Sequence, residues 1–399
     1  MQNRVHASRT PTILYVDCEP MSSIGRVRLA GLRRYAAARK WRVEALEHKD
    51  CTPAKLRKAL AQLRPIGCAA ECWCSDTAPR PALFGKTPVI YFEPPDEPQW
   101  RGVSSIMCDN AAVGRMAFEE LSSTSPPAYA VVFCHPNKRW VRERIEAFQD
   151  CCRKIGVDCS ISCFPVKSGM ERARLPSLMS PWAAALPHRC AVFAVNDTSA
   201  LGAARALAEA GRTFPRTVTL VGADGTERPE DDNDFAEMVS TVRIDHELSG
   251  YLAARLLAGR ADPSSAAAAP PAAIFPPLLI DRRKSTRGYG RREPRILEAM
   301  EVIRRKACDG LTAETLAKRF RVSRQHFSLR FKEAAGHTIL DEILNVRITR
   351  ATELLANTDL PVSAVADFCG FQTGWEFWNI FRKRVGMPPL HFRNLKRRG

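Results

Sequence analysis

Polar side chains end two apolar runs near the middle of the chain, where they could bind a small molecule. Asn196 and Asp197 close the run CAVFAVND, and Asp224 closes the run TVTLVGAD. Carboxylates accept charge-assisted hydrogen bonds, and planar groups at strand ends suit the hydroxyls of a carbohydrate. A structural role competes with this one, because Asn is a favoured helix N-cap and Asp is favoured in the first helical turn. The pattern therefore indicates either a hydroxyl-binding site or a capped helix.

A second stretch, DFCGFQTGWEFWNIFRKRVGMPPLHFR at 367–393, mixes aromatic and basic side chains. Such a mixture suits a buried aromatic core with a charged edge, or a surface that binds a polyanion. Residues 282–399 hold 25 Lys and Arg against 12 Asp and Glu, and so carry most of the net charge of +17. This asymmetry indicates that the last third of the chain binds nucleic acid and that the rest has a different task.

The 14 cysteines are irregularly spaced. The cluster Cys68, Cys72 and Cys74 lacks the second pair, or the histidines, of a structural zinc site, so neither a metal nor another cofactor is predicted. We expect reduced and mostly buried thiols. A thiol-reactive sensor or enzyme that uses Cys72/Cys74 or Cys151/Cys152 is the alternative. The motifs of P-loop enzymes, serine hydrolases and zinc peptidases do not occur, which indicates that the protein is not an enzyme.

The sequence contains no apolar run of the ~18 residues that a membrane span requires, and its N-terminus lacks the apolar segment of a signal peptide. A chain of 399 residues is long enough for two or three domains. We therefore predict a cytoplasmic, multidomain protein without a membrane partner.

Strand-like runs alternate with helical stretches from Thr12 to about Ala258. For example, TILYVD precedes VRLAGLRRYAAARK, and YAVVFC precedes RWVRERIEAFQDCCRKIG. This alternation predicts α/β architecture with parallel sheets covered on both faces, arranged as two Rossmann-like lobes with a cleft between them. A purely helical pattern follows an Ala- and Pro-rich stretch. The predicted domains are a sensing domain at 1–281, a basic linker at 282–294 and an all-α domain at 295–399.

The helical third contains an internal repeat. The segment that starts at Leu311 resembles the segment that starts at Leu360, and an offset of about 50 residues superposes Phe327 on Phe377 and Phe331 on Phe381. Each unit consists of a short helix, a tight turn and a longer helix that carries Arg or Lys. This is the layout of a helix-turn-helix, whose second helix enters the major groove of DNA.

The two second helices supply the predicted DNA contacts, while their paired phenylalanines are predicted to be core. Basic side chains are candidates for phosphate contacts: Arg324, Arg330, Lys332, Arg382, Lys383 and Arg384. Candidates for base contacts in the first unit are Gln325, His326 and Ser328. In the second unit the candidates are Trp375, Trp378 and Asn379. For Trp378 two possibilities stay open, one facing the groove and one packing against the helix that connects the units.

Residues 295–395 resemble the double helix-turn-helix domain of AraC-type bacterial transcription regulators. The resemblance is carried by SRQHFSLRFKEAAG, by the connecting segment 340–371 and by the closing FRKRVGMPPLHFR. It implies that one molecule reads two successive major-groove segments. The family commonly has small polar residues and an arginine where this chain has Trp378 and Asn379, so its usual base contacts are not transferred to these positions.

The segment 191–225 resembles the effector domain of LacI/GalR regulators, a periplasmic-binding-protein-like domain that closes around a small ligand, usually a sugar. Through this resemblance RWVRERIEAF implies a ligand contact by Arg144. An effector domain followed by an AraC-type domain is the order in xylose operon regulators of the XylR type. The stretch DCEPMSSIGRVRLAGLRRYAAARKWRV resembles theirs as well, which implies that Arg26 or Arg28 lies at the ligand edge of the first lobe, with Asp17 at the end of the first strand.

These observations predict a transcription regulator whose binding to double-stranded DNA is controlled by a small sugar, D-xylose or a related monosaccharide, bound between the lobes. The expected assembly is a homodimer, with RNA polymerase as a partner if the regulator is an activator. Two alternatives stay open. In one, the effector pocket is degenerate and the domain serves for dimerisation alone; in the other, the regulator responds to thiol oxidation.

Overall fold

The computed structural model describes residues 10–17, 23–72, 78–123, 125–166, 173–225, 238–261, 272–286, 294–335 and 337–396. The chain divides into two compact units. Unit one comprises the described residues within Met1–Cys108, Lys138–Trp140 and Asp245–Phe275, and unit two those within Asp109–Asn137, Val141–Ile244 and Pro276–Gly399.

Twelve strands are described, and short apolar runs account for most of them because β-branched and aromatic residues fit a pleated, buried surface. In chain order they are β1 (Thr12–Val16), β2 (Arg42–Leu46), β3 (Gly67–Glu71), β4 (Val89–Phe92), β5 (Ser104–Cys108), β6 (Ala128–Phe133), β7 (Cys159–Cys163), β8 (Cys190–Ala194), β9 (Val218–Asp224), β10 (Ser240–Ile244), β11 (Ala272–Phe275) and β12 (Pro277–Asp281).

Fourteen α-helices are described. They are α1 (Ser23–Ala37), α2 (Pro53–Leu63), α3 (Asn110–Ser122), α4 (Arg139–Lys154), α5 (Leu175–Ala185), α6 (Asp197–Glu209), α7 (His246–Ala261), α8 (Pro294–Lys306), α9 (Ala313–Arg319), α10 (Arg324–Ala335), α11 (Ile339–Asn357), α12 (Val362–Phe368), α13 (Gly374–Val385) and α14 (Pro389–Lys396). None of the helices within the described ranges is long and apolar enough to cross a membrane.

Each unit contains one six-stranded sheet. The sheet of unit one has the order β11-β5-β4-β3-β1-β2 and is parallel throughout. The sheet of unit two has the order β12-β10-β9-β8-β6-β7, in which β12 runs antiparallel to β10 and all other pairs are parallel. In parallel sheets the carboxyl ends of the strands meet at one edge, which is where ligands bind in α/β folds. The predicted α/β class is confirmed.

Helices α8–α14 form the predicted all-α part. Phe327 and Phe331 belong to one core with residues of α8 and α9, and Phe377 and Phe381 are fully buried in the second half. The prediction that these four phenylalanines are core residues is confirmed. Three of these helices have a threonine as their N-cap: Thr312 caps α9, Thr338 caps α11 and Thr373 caps α13.

The first residues of the predicted basic linker pack within unit two. Arg282 Nε donates to Glu120 Oε2 at 2.6 Å, and Thr286 Oγ1 donates to Glu120 Oε1 at 2.9 Å. Asp281 is 1% exposed and pairs with Arg283 at 2.7 Å and with Arg305 of α8 at 3.2 Å. The pair between Asp281 and Arg305 connects strand β12 to the first helix of the all-α part.

Candidate ligand site and nucleic-acid interface

Arg144 is the centre of a buried polar cluster in unit two. It lies on α4 and is 4% exposed. Its Nε donates to Asn110 Oδ1 at 3.0 Å, while Nη1 donates to the Val195 carbonyl at 2.8 Å and to Asp224 Oδ1 at 2.9 Å. Val195 follows β8 and Asp224 ends β9, so the guanidinium is fixed at the carboxyl ends of two neighbouring strands.

Asp224 has an unusual backbone conformation, with φ of 106°. Non-glycine residues rarely adopt this region, and holding one there costs on the order of 1–3 kcal/mol. The next residue, Gly225, has φ of 68°, and a Cβ there would lie 2.6 Å from Arg243 Cγ, so only glycine fits. Backbone strain of this kind is concentrated at functional sites. Asp224 and its partner Arg144 are therefore the strongest ligand-binding candidates in unit two.

Asn196 and Asp197 have the structural partners that the competing interpretation predicts. Asn196 is the N-cap of α6, and its Oδ1 accepts hydrogen bonds from the backbone N of Ser199 at 3.0 Å and from its Oγ at 2.6 Å. Asp197 occupies the first turn of α6 and accepts from Thr241 Oγ1 at 2.8 Å. A contact between either residue and a ligand stays a prediction.

Arg28 forms a buried ion pair in unit one. Its Nη1 donates to Glu71 Oε2 at 2.5 Å, its guanidinium lies 4.6 Å from the centre of the Phe92 ring, and its side chain is 3% exposed. Tyr15 donates to the other oxygen of Glu71 at 2.7 Å. Burial, reinforced by the Glu71 carboxylate, raises the pKa of Tyr15, so its hydroxyl stays a donor at neutral pH. Asp17 follows β1 and is 3% exposed.

Sequence reasoning missed three polar residues at these strand ends: Glu71, Glu93 and Asn110. Glu71 ends β3, and Glu93 follows β4 with φ of 50° and accepts from the backbone N of Cys108 at 2.7 Å. Both come at the end of apolar runs, which is the signal that singled out Asn196 and Asp224. Applied to every run, the same signal could have found them.

The first recognition helix, α10, presents a polar face opposite its buried phenylalanines. Most of the predicted DNA-contacting residues are exposed: Arg324, Gln325, His326, Arg330 and Lys332. Ser328 is half-buried, and the exposed Leu329 was not predicted. Thr312 caps the start of α9, and Ser323, which precedes α10, accepts from the backbone N of His326 at 3.4 Å.

The second recognition helix, α13, has a different outer face. Trp375 is 78% exposed and Trp378 is 38% exposed, with the Arg382 guanidinium 5.2 Å from the centre of its ring. Trp378 thus lies at the protein surface under an arginine. The Asn379 amide donates to the Trp375 carbonyl at 3.0 Å, and Lys383 is exposed.

Two charged residues of α13 are bonded within the domain. Glu376 accepts from the backbone N of Gln372 at 3.1 Å, and its own backbone N donates to Oγ1 of the N-cap residue Thr373 at 3.1 Å. Arg384 donates to Asp341 at 2.8 Å and also to Asn345 of α11. A phosphate contact by Arg384 stays a prediction. Asp341 and Asn345 would compete with the phosphate for its guanidinium.

The connecting helix α11 joins the two helix-turn-helix units. With 19 residues it is about 28 Å long, which is close to the ~34 Å that separates successive major-groove segments. Its buried Arg347 donates to the Ala307 carbonyl at 2.8 Å, and its guanidinium lies 5.6 Å from the centre of the Phe371 ring. One side chain thus contacts both helix-turn-helix units.

The described cysteines are free thiols, and Cys72 is buried. Cys74, the other member of the proposed pair, lies outside the described residues. Within the described ranges, no three His, Cys, Asp or Glu side chains are grouped so that they could hold a metal ion.

Two protein-family models match separate parts of the chain. Residues 128–286 match the periplasmic binding protein-like domain family, and residues 316–395 match a helix-turn-helix domain family. The xylose operon regulatory protein of Escherichia coli (strain K12) is 26% identical over 303 residues, which are 73% of this chain and 74% of that protein.

Two solved structures share the fold. The structure of the xylose-binding transcription activator xylR covers 97% of this chain and 99% of its own, with a TM-score of 0.56 and 22% identity. A periplasmic binding protein/LacI transcriptional regulator from Alkaliphilus metalliredigens QYMF, complexed with D-xylulofuranose, covers 70% of this chain and 100% of its own, with a TM-score of 0.52 and 18% identity. The chain therefore joins a periplasmic binding protein-like domain to a C-terminal helix-turn-helix domain of the AraC type and is homologous to xylose operon regulatory proteins, which are transcription regulators and not enzymes.

Proposed function

We propose that this protein is a DNA-binding transcription regulator controlled by a monosaccharide, D-xylose or a close relative. The observation that carries the effector part is the buried Arg144–Asp224 pair at the carboxyl ends of β8 and β9. A guanidinium donates to two neighbouring oxygens and a carboxylate accepts from hydroxyls, so the pair offers both kinds of hydrogen bond to a sugar. The names of the E. coli relative and of the two solved structures support a pentose-like ligand.

The DNA-binding part of the proposal rests on the two exposed faces of α10 and α13. Besides Arg384, which is bonded to α11, their exposed cations are Arg324, Arg330, Lys332, Arg382 and Lys383. We assign them to phosphate contacts, which give affinity that falls with salt. A homodimer would present two such pairs of helices. By linkage, sugar and DNA then change each other's affinity by the same factor.

A thermal-shift screen tests the effector part. Full-length protein is heated with D-xylose, D-ribose, L-arabinose, D-glucose or D-galactose, and at least one sugar is expected to raise Tm, because a ligand at 100 times its Kd stabilises by about 2.7 kcal/mol. Asp224→Asn is expected to abolish the shift. Arg142→Met, which changes an exposed arginine on the same helix as Arg144, is the matched control and should retain it.

A binding titration at several salt concentrations tests the DNA part. With about five phosphate contacts, the logarithm of the association constant should fall by four to five for each tenfold rise in salt. Affinity that does not change with salt contradicts the assignment of the exposed cations.

The internal bonds of Arg144 support a second candidate, a sensing domain that has lost its ligand and serves for dimerisation. The guanidinium is already bonded to three acceptors within the protein. If no sugar changes Tm while a concentration-dependent dimer binds DNA, this second function is correct.

A further inference from the structure

The outer faces of the two recognition helices differ at equivalent positions. Trp375 stands two residues before Phe377, as Gln325 stands two residues before Phe327, so the internal repeat makes Trp375 the counterpart of Gln325. Both phenylalanines are buried, whereas Trp375 is 78% exposed. The second helix-turn-helix therefore carries a large apolar side chain where the first carries an amide.

Helical geometry places Trp375 in the middle of the outward face of α13. At about 100° per residue, it lies roughly opposite Phe377 around the helix axis. Trp378, Asn379 and Arg382 follow at i+3, i+4 and i+7, and so share its face. Trp375 is also the second residue of α13, and the N-terminal part of a recognition helix is the part that contacts base edges.

The polar groups next to Trp375 on α13 are bonded within the protein, and the Trp375 indole stays exposed. The Glu376 carboxylate accepts from the backbone of Gln372, and the Asn379 amide nitrogen donates to the Trp375 carbonyl. The Arg382 guanidinium lies over the Trp378 ring. The start of α13 thus presents an apolar surface, flanked by the positive charges of Arg382 and Lys383.

We infer that Trp375 is a specificity-determining residue that packs against the C5-methyl group of a thymine in the major groove. This inference rests on the proposed DNA-binding function. In the major groove, thymine alone presents an apolar group, whereas the other base edges present donors and acceptors that an indole ring leaves unpaired. The basic residues beside Trp375 complement the phosphates that border the groove.

Deoxyuridine substitution tests the inference, because deoxyuridine lacks only the methyl group. The full-length protein first selects its preferred duplex from a randomised DNA library. Each thymine of that duplex is then replaced in turn, and Kd is measured for the wild type, Trp375→Ala and Leu390→Ala. Leu390 is also an exposed apolar residue, 58% exposed, on α14, and its substitution is the matched control.

At one position or more, deoxyuridine should weaken wild-type binding about fourfold, the loss expected for one methyl-sized group. Trp375→Ala should bind the thymine duplex about tenfold more weakly and bind both duplexes equally. Leu390→Ala should keep the wild-type response, and Trp375→Phe should keep part of it.

Two results overturn the inference: wild-type affinity that no deoxyuridine changes, or a Trp375→Ala protein that is still fully sensitive to the methyl group. A selection that enriches no sequence removes the proposed DNA-binding function itself, and this inference with it. An enriched sequence without a methyl effect leaves the function standing and removes the inference alone.

Discussion

Arg144 and Asp224 are 4% and 7% exposed, and each neutralises the other's charge in the interior of unit two. Removing one partner of such a pair leaves an uncompensated buried charge, whereas replacing both can be nearly neutral. Asp224 also has a backbone conformation that few residue types tolerate. The two residues are therefore coupled in stability, whatever they bind.

We expect Arg144→Met to lower the free energy of unfolding by about 3 kcal/mol, because it leaves the Asp224 carboxylate buried without its ion-pair partner. The double variant Arg144→Met/Asp224→Asn should recover at least half of this loss. Urea unfolding followed by circular dichroism measures both. Losses in the two single variants that simply add in the double variant contradict the coupling.

Buried cysteines are expected to resist thiol reagents. Burial raises the pKa of Cys68 to about 12 and the pKa of Cys190 to about 11. The thiolate is the reactive form, so at pH 8 both should react with a disulfide reagent only after denaturation. Among the described cysteines, the exposed Cys163 is expected to react first in the native protein. Mass spectrometry of the modified peptides checks the order, and rapid labelling of native Cys68 contradicts it.

The turn between α12 and α13 leaves no room for a side chain at Gly370. Gly370 has φ of 75°, and a Cβ there would lie 2.5 Å from the Cys308 carbonyl oxygen. The two helices approach the 3₁₀ turn Ala307–Asp309 too closely for any side chain at this position.

Gly370→Ala is expected to destabilise the helix-turn-helix part by about 2 kcal/mol or more, because alanine is strained at positive φ and has no room. Gly374→Ala is the matched control: Gly374 begins α13, and a Cβ there meets nothing within 4 Å. The control should change stability by less than about 0.5 kcal/mol. Thermal unfolding and DNA affinity of both variants test this, and equal effects contradict the expected clash.

Periodicity predicted much of these elements correctly, since the spacing of Phe327 and Phe331 or of Phe377 and Phe381 is set by the helix itself. Adjacency in sequence was a poorer guide to which basic side chains share a helix face. Arg382, Lys383 and Arg384 were taken as one basic cluster, although a period of 3.6 residues places Arg384 about 180° from Trp375 and towards α11.

Contacts between distant segments could not be predicted. The ion pair between Glu71 and Arg28 joins residues that are 43 positions apart, and no local pattern records that pairing. The φ of Asp224 is likewise imposed by the surrounding fold.

Within unit two, the sensing part and the DNA-binding part share a buried network of charges. Glu120 of α3 accepts a hydrogen bond from Arg282, and Asp281 of β12 forms an ion pair with Arg305 of α8 at 3.2 Å. The Arg282 backbone N also donates to Glu301 of α8 at 3.0 Å. A change in the sheet can therefore alter the position of α8, which packs in the core of the first helix-turn-helix.

Asp281→Asn is expected to destabilise this junction by about 3 kcal/mol, because two arginines lose a buried counter-charge. Differential scanning calorimetry should then show the helical part melting separately and at a lower temperature. Glu298→Gln, which changes an exposed carboxylate on α8, should leave the profile unchanged. A profile in Asp281→Asn that matches the wild type argues against a structural role for the network.

The duplication of the helix-turn-helix has a consequence for the DNA. Because α10 and α13 carry unlike outer faces, the two groove segments that we propose one molecule to read cannot be interchanged. The site of a single molecule therefore has a polarity. Turning the whole site end for end reverses the direction in which the bound molecule points and keeps its affinity, whereas exchanging the two segments within the site produces a different and weaker one. Two molecules bound to direct repeats would point the same way along the duplex, whereas inverted repeats would set them face to face.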